Sequence, residues 1–288
     1  MDLSEVLFVA LKIFATAATF FSLLDLGLQL ELKETIVGIR NPRFSIFTLL
    51  WGFILGPAIA YSLTLVLPLT SSYGNGLIIM SFVPGAAYLA MLVERANGDV
   101  RYAASYLLLT SFAMVFFIPL SLPYLVTGVS ISSWLIAKPL IMLVLVPLLI
   151  GITIRKYWLE GATRWRPLLK KVASVALVGA LAATIACFGK GIVVSAGSFA
   201  LASLLLLYGL ITAGTWYSAY SFPYERRSVL TLGIVTRNSG PAVAIAVSIP
   251  NLQGETFVLI GMGIIVQVLM SFPLAYRGGK KYKMKNTN

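Results

Sequence analysis

The sequence predicts an all-α integral membrane protein of about nine transmembrane helices. Three observations support this prediction. Hydrophobic residues make up 59% of the 288 residues and charged residues only 11%, a composition that no soluble domain of this length could bury. The basic residues lie in short loops between the apolar runs, and two of those runs are interrupted by proline and glycine.

Each apolar run holds about 20 residues, which is enough to cross a bilayer as a helix. Because the loops between the runs are short, we expect one polytopic membrane domain, residues 1–276. A basic tail, residues 277–288, follows it, and its composition predicts a disordered cytoplasmic segment. The predicted spans cover approximately residues 5–29, 45–68, 75–95, 102–124, 133–155, 172–189, 197–219, 228–249 and 255–276.

Positive charge alternates from loop to loop along the chain. Every second loop is basic and the intervening loops hold almost no basic residues, apart from Lys190. Basic loops stay in the cytoplasm, so the alternation predicts an outside N-terminus, a cytoplasmic C-terminus and an odd number of spans. The acidic start MDLSEV is unlike a signal peptide, so the first run is predicted to be a retained span in a plasma or bacterial inner membrane.

The remaining composition excludes several function classes. The net charge of +12 belongs to the membrane topology, so we expect the lipid bilayer and not a nucleic acid as partner. The single cysteine, Cys187, excludes an intramolecular disulfide, and the absence of histidine excludes histidine-based catalysis and histidine-ligated metals. We therefore expect no enzyme activity, no cofactor and no metal centre.

Two of the predicted spans are poor continuous helices. The third carries Pro84-Gly85 near its centre, and the eighth carries Asn238-Ser239-Gly240-Pro241. Proline removes a backbone donor and clashes with the preceding turn, so both helices should break there. A single such site is typical of a simple kink. Two of them favour an inverted-repeat transporter in which paired discontinuous helices cross near the midplane.

Such a crossing offers the chemistry of an anion site. The first N–H groups of a helix that restarts in the membrane lack partners and carry partial positive charge, and Arg237 adds a full charge at the same depth. Asn238 or Ser239 is expected to cap the second restarted helix. The predicted substrate-binding residues are Pro84, Gly85, Ala86, Ala87, Thr236, Arg237, Asn238, Ser239 and Gly240.

Arg237 also has a purely structural interpretation, in which it pairs with a buried acid to hold helices together. Asp25, late in the first span, and Glu94, at the end of the third, are the candidate partners. Either carboxylate could neutralise Arg237, carry a proton, or face cytoplasmic water. The polar neighbours of Glu94 favour a solvated helix end, so Asp25 is the preferred partner.

Five short motifs, in order along the chain, resemble the bile acid:sodium symporter superfamily: LLDLGLQL, NPRF, GFILGP, GLIIMSFVPG and TRNSGPAVAIA. The resemblance implies a panel domain and a core domain, with two broken helices that cross in the core. It further implies that substrate moves by alternating access between these domains, and that nine spans with an outside N-terminus correspond to members lacking the first of ten.

The chain departs from the sodium-coupled members of that superfamily at their ligand positions. In those members polar residues follow the Pro-Gly, whereas this chain has aliphatic residues from Ala86 to Ala90 apart from Tyr88. The other ligand positions align with Gly52, Ala103, Leu107, Gly233 and Arg237. Aliphatic side chains supply no oxygen to a hard cation. We therefore hypothesise that Arg237 replaces the bound sodium as a fixed positive charge.

The sequence thus predicts a secondary transporter of a small or amphipathic organic anion, with sodium-independent transport. Proton coupling through Asp25, or no coupling ion, is favoured over sodium. The alternatives are a sodium- or proton-coupled organic-anion symporter and a non-transporting sensor or scaffold with a degenerate transporter fold.

Overall fold

The computed structural model describes residues 3–128, 132–194, 198–252 and 254–286, and all regular elements in these ranges are helical. The α-helices are α1 Leu3–Gln29, α2 Leu32–Ile39, α3 Pro42–Leu50, α4 Gly56–Val66, α5 Ser71–Ser81, α6 Leu89–Arg95, α7 Val100–Leu125, α8 Ser133–Leu140, α9 Val146–Tyr157, α10 Leu159–Val194, α11 Ala200–Ser218, α12 Tyr224–Val235, α13 Ser239–Ser248 and α14 Gly254–Asn286. A 3₁₀ turn, Ala219–Ser221, extends α11.

Seven stretches of the described chain are long and apolar enough to cross a membrane as uninterrupted helices, which confirms the prediction of an all-helical membrane protein. They are Glu5–Gln29, Pro42–Val66, Val100–Leu125, Ser133–Tyr157, Leu159–Gly189, Ala200–Ser221 and Gly254–Lys280. The predicted spans 75–95 and 228–249 correspond instead to two pairs of short helices, α5–α6 and α12–α13. The longest of these four has 12 residues, about 18 Å, so none of them crosses a bilayer alone.

Two of the uninterrupted stretches contain a π-helical turn. Trp51–Leu55 joins α3 to α4, and Ile141–Leu145 joins α8 to α9. In both cases a proline, Pro57 or Pro147, follows the turn by two residues. Proline cannot donate its backbone nitrogen and its ring displaces the carbonyl four residues earlier, so the helix widens there. The π turn at Trp51–Leu55 lies beside the candidate site.

The interrupted pairs are enclosed by the most buried long helices. Helices α7 and α14 have the largest buried shares of the seven stretches, whereas α10 and α1 have the smallest. Helix α1 packs along α10 and against α9. A Cβ atom on Gly27 of α1 would lie 2.9 Å from the Cα of Gly151 in α9, so glycine at both positions allows the two backbones to touch.

Two segments predicted to be irregular are helical. The basic loop before the predicted span 172–189 belongs to α10, a helix of 36 residues. The tail that composition predicted to be disordered continues α14 to Asn286. An established helix propagates at little cost, and contacts hold this extension: Asn97 Nδ2 donates to the Gly279 carbonyl at 3.1 Å, and the Tyr282 ring stacks on Tyr224 with centroids 4.5 Å apart.

Candidate functional site

The first interruption separates α5, which ends at Ser81, from α6, which begins at Leu89. Pro84 and Gly85 lie in this irregular stretch, and both are buried. Gly85 has a φ of +89°, and a Cβ atom there would lie 3.2 Å from atoms of Tyr106, Leu107 and Thr110. The backbone conformation therefore requires glycine, and the space that α7 leaves is also tight.

The second interruption separates α12, which ends at Val235, from α13, which begins at Ser239. Thr236 is extended, with φ −81° and ψ 136°. Asn238 occupies the N-cap position of α13, as expected for one of the two capping candidates. Its side chain makes no capping hydrogen bond, however.

The two interruptions meet as a short antiparallel pair of backbones. The Gly85 N–H donates to the Thr236 carbonyl at 2.8 Å, and the Asn238 N–H donates to the Val83 carbonyl at 2.7 Å. Pro84 and Arg237 thus lie opposite each other in one isolated bridge. This junction satisfies backbone groups that the broken helices leave free, which is necessary away from water.

The Thr236 hydroxyl strengthens the same junction. It accepts a hydrogen bond from the Ala86 N–H at 3.3 Å and donates one to the Leu232 carbonyl at 2.8 Å. The Thr236 side chain therefore links Ala86, in the first interruption, to the last turn of α12.

Arg237 is the largest fully buried side chain of the described protein, with 0% of its surface exposed. Its Nη1 donates to the Ser81 carbonyl at 2.9 Å, at the last residue of α5, where the helix dipole places partial negative charge. Its backbone N–H donates to Gln267 Oε1 of α14. A Cβ atom on Gly56 would lie 3.7 Å from Nη2, so the guanidinium reaches the first residue of α4, directly after the π turn.

The guanidinium is short of partners. Its Nε and Nη2 have no hydrogen-bond acceptor among the described residues. No described carboxylate lies within 4.0 Å of it either, since the ion pairs of the described chain all involve other arginines. The phenol groups of Tyr208 and Tyr106 are near enough to interact with it electrostatically. An uncompensated buried charge costs several kcal/mol, so it requires a functional or structural reason.

Neither of the two acids considered as partners of Arg237 pairs with it. This corrects the expectation for Asp25 and agrees with the solvated helix end favoured for Glu94. Asp25 is 7% exposed, but it pairs with Arg166 of α10, whose Nε lies 3.2 Å from Asp25 Oδ1. Gln29 donates to its other oxygen at 2.5 Å. Glu94 is exposed on α6. Asp25 lies near the C-terminal end of α1, beside the basic first part of α10, and this explains its partner.

The nine predicted binding residues separate into two groups. Pro84, Gly85, Thr236 and Arg237 form the buried junction, with Ala86 and Asn238 at its edges and Ala87 exposed. Ser239 and Gly240 lie instead against α1, where they line a narrow cavity of about 20 Å³. A Cβ atom on Gly240 would approach Thr19 Oγ1 to 2.0 Å, so this glycine lets α13 pack directly on α1.

Arg237 is surrounded by four groups that were not among the predicted site residues. They are Tyr106, Gln267, Tyr208 and the Ser81 carbonyl. Gln267 could have been found, because it is a polar residue within the apolar run GMGIIVQVLM of the ninth predicted span. A tyrosine and a backbone carbonyl carry no comparable signal in a single sequence.

The described chain is therefore a multi-pass α-helical membrane protein, with a buried cation where two interrupted segments meet. The family model described as the Sodium Bile acid symporter family matches residues 16–196, more than half of the sequence. The chain belongs to this family, which confirms the resemblance and identifies a transporter in general terms. The match includes the first interruption and ends before the second. A search of curated proteins found no match.

Packing contacts fill the positions that the resemblance aligned with sodium ligands. A Cβ atom on Gly233 would lie 2.5 Å from the ring of Tyr106, so the tyrosine occupies the space of a side chain at position 233. A Cβ atom on Gly52 would lie 3.1 Å from the ring of Pro84. Ala103 and Leu107 are buried aliphatic residues on α7.

Proposed function

We propose that this protein is a secondary transporter of a small or amphipathic organic anion, working by alternating access without sodium. Arg237 takes the place of the bound cation. One observation carries the proposal: a fully buried guanidinium lies at the junction of the two interrupted segments. Two of its three nitrogens, Nε and Nη2, have no described acceptor, and no described carboxylate neutralises it.

The proposal treats α5–α6 and α12–α13 as two discontinuous spans that cross inside the bilayer, giving nine spans in all. The backbone bridge between Pro84 and Arg237 supports this arrangement. Each interrupted pair is followed along the chain by one of the two most buried long helices, α7 or α14, as expected for an inverted repeat. We further propose a panel and a core domain, an outside N-terminus and a cytoplasmic C-terminus in a plasma or bacterial inner membrane.

Arg237 meets the requirements of a built-in cation. Its Nη1 binds the carbonyl that ends α5, a position that favours positive charge because of the helix dipole. The neighbouring positions that resemble sodium-ligand positions carry glycine or aliphatic side chains, which offer no oxygen ligands. The charge is covalently attached, so it does not depend on the sodium concentration.

The same charge explains why the cargo should be an anion. In a medium of low effective dielectric constant, an uncompensated cation attracts a negative group over several ångströms. Ser239, which lies two residues after Arg237, lines the narrow cavity together with Gly240. An anion near the start of α13 would also interact favourably with the partial positive charge of that helix end.

Counterflow in proteoliposomes tests the proposal. Thermal-shift screening of organic carboxylates and sulfonates first identifies an anion that raises the melting temperature. Labelled anion is then exchanged in sodium, potassium or choline buffers of equal ionic strength. We expect equal rates in all three, whereas a rate that rises steeply with external sodium would contradict sodium independence.

The two alternatives give different results in that assay. A proton-coupled symporter accumulates the anion when an inward pH gradient is imposed in sodium-free buffer. A sensor or scaffold binds the anion and shows the thermal shift but gives no counterflow.

A further inference from the structure

The corner between α9 and α10 concentrates positive charge at one end of two spans. Helix α9 ends at Tyr157 and α10 begins at Leu159, so Trp158 alone makes the turn, with φ −144° and ψ 73°. Helix α10 has 36 residues, a length of about 54 Å, whereas the hydrocarbon of a bilayer is about 30 Å thick. The first part of α10 therefore extends into the headgroup region. Residues 155–171, which we call the α9–α10 corner, hold six basic residues and one acid: Arg155, Lys156, Arg164, Arg166, Lys170 and Lys171 against Glu160.

Two of these six cations are bound within the protein. Arg166 Nε lies 3.2 Å from Asp25 Oδ1. Arg155 Nη2 lies 3.8 Å from a carboxylate oxygen of Glu31, and its Nη1 donates to the Leu28 carbonyl at 3.2 Å. The other four cations are exposed and take part in none of the ion pairs of the described chain: Lys156, Arg164, Lys170 and Lys171. The corner therefore presents four cations that no described carboxylate neutralises.

Two exposed tryptophans lie among these cations. Trp158 is 56% exposed and Trp165 is 49% exposed. The indole of Trp158 packs directly over Gly161, because a Cβ atom on that glycine would lie 2.2 Å from the ring. Tryptophan is enriched at the headgroup level of membranes, where its ring contacts acyl chains and its N–H contacts polar groups. The pair therefore indicates that the α9–α10 corner lies at the membrane surface.

One exposed face of α10 changes from basic to apolar along the helix. Its residues follow each other at spacings of four, three, four and three positions, so they share that face. They are Arg164, Leu168, Lys171, Val175 and Val178. Helical side chains lean toward the N-terminus of their helix, so Lys171 is directed back toward the level of Arg164. The stretch Leu159–Gly189 has the smallest buried share of the seven apolar stretches, 22%, so this face is available to lipid.

We propose that the α9–α10 corner binds an anionic phospholipid. The headgroup phosphate lies between Arg164 and Lys171. One acyl chain follows the apolar part of the same face, along Leu168, Val175 and Val178. Two helical turns, about 10 Å, separate the two cations, and their long side chains can span this distance to meet one phosphate group.

The order of charge and apolar surface favours a lipid over a soluble phosphate. Exposed cations alone bind a small anion weakly, because water screens the attraction. A lipid adds the contact of its acyl chain with the apolar half of the face, and a guanidinium can bind two oxygens of its phosphate group. The inference does not depend on the proposed transport function, since it concerns a lipid-facing surface away from Arg237.

Quenching of tryptophan fluorescence by brominated lipids tests the inference. The full-length protein is placed in phosphatidylcholine nanodiscs that contain a small fraction of brominated phosphatidylglycerol or, as the lipid control, of brominated phosphatidylcholine. Bromine on an acyl chain quenches a neighbouring indole, so comparison of the two gives the relative affinity for the anionic lipid. We expect stronger quenching by the phosphatidylglycerol. Trp158→Phe/Trp165→Phe removes the reporters at the corner and should abolish this excess, and an excess that persists would place the lipid elsewhere and overturn the inference.

Charge variants then test the two cations. Arg164→Gln and Lys171→Gln should each lower the relative affinity about fivefold, as expected for one cation at an anionic surface. Lys33→Gln/Arg43→Gln is the matched control for the double variant, because it removes one lysine and one arginine at exposed positions of α2 and α3. It should leave the preference unchanged. All four positions are exposed, so these variants should unfold at the wild-type temperature.

Three results of these measurements would overturn the inference. The first is an equal preference for phosphatidylglycerol in the wild type and in Arg164→Gln/Lys171→Gln. The second is an equal fall in the control variant, which would reduce the effect to net charge. The third is displacement of the brominated phosphatidylglycerol by glycerol 3-phosphate at constant ionic strength, which would assign the corner to a soluble phosphate.

Discussion

Replacing Arg237 by glutamine tests the buried charge most sharply. The guanidinium is fully buried and has no described counter-ion, so its field acts in a medium of effective dielectric constant near 20. A unit charge about 8 Å away then interacts with it by about 2 kcal/mol. Loss of that attraction corresponds to an affinity for the anion about thirtyfold weaker. At anion concentrations well below the wild-type Kd, we therefore expect anion transport by Arg237→Gln to fall close to background.

The stability of Arg237→Gln should change little, because two effects oppose each other. The variant loses the charge-assisted hydrogen bond to the Ser81 carbonyl, which is worth about 1.5–3 kcal/mol. It also loses the desolvation penalty of an uncompensated buried charge, which is of order several kcal/mol. The protein should therefore insert, purify and melt close to the wild-type temperature.

The assay combines calorimetric titration of the anion with counterflow in proteoliposomes. Arg237→Lys keeps the charge and should keep part of the affinity, while Arg101→Gln removes an exposed arginine that pairs with Asp99 and should behave as wild type. Undiminished transport by purified Arg237→Gln would refute the reasoning and leave Arg237 with a structural role alone.

Three further predictions follow from other contacts. Asp25→Asn breaks the pair with Arg166 and should lower the free energy of unfolding by about 1–3 kcal/mol. An unchanged melting temperature together with loss of pH-driven uptake would contradict this and make Asp25 a proton carrier. Gly85→Ala forces an L-residue to a φ of +89° and should cost at least about 1–2 kcal/mol, so an unchanged thermal unfolding curve would contradict the local geometry. The hydrogen bond from Tyr282 lowers the pKa of the Glu225 carboxyl. This bond therefore stabilises the end of α14 fully at pH values above the ordinary carboxyl pKa. The stabilisation is lost as the pH falls through the lowered pKa of Glu225. The protection factors of the amides at the end of α14, which are corrected for the intrinsic exchange rate at each pH, should fall at that acidic pH, and Tyr282→Phe should abolish this fall.

Local sequence signals accounted for the class of fold and for the unusual segments. The apolar runs predicted membrane helices because the length of a span is fixed by the bilayer. Pro84-Gly85 and the Asn238–Pro241 stretch are local breakers, and α5 and α12 end before them at Ser81 and Val235. Arg237 was recognisable because a charge inside an apolar run is expensive wherever the chain goes.

The surroundings of Arg237 could not be predicted, because they depend on which distant segments meet. The Ser81 carbonyl is 156 positions away in sequence, and the Tyr106 ring fills the space over Gly233 only after α7 packs on α12. The assignment of Asp25 to Arg237 failed for the same reason, since Arg166 lay in a segment predicted to be a loop. The helical end of α14 was also missed, because its basic composition resembles that of a solvated tail.

The claim that Arg237 has replaced a bound cation is tested most directly by measuring binding of radioactive sodium to the purified wild-type protein, with and without the organic anion. Potassium keeps the ionic strength constant at each sodium concentration. The account predicts no saturable sodium binding in either condition. Saturable sodium binding that increases when the anion is added would contradict it.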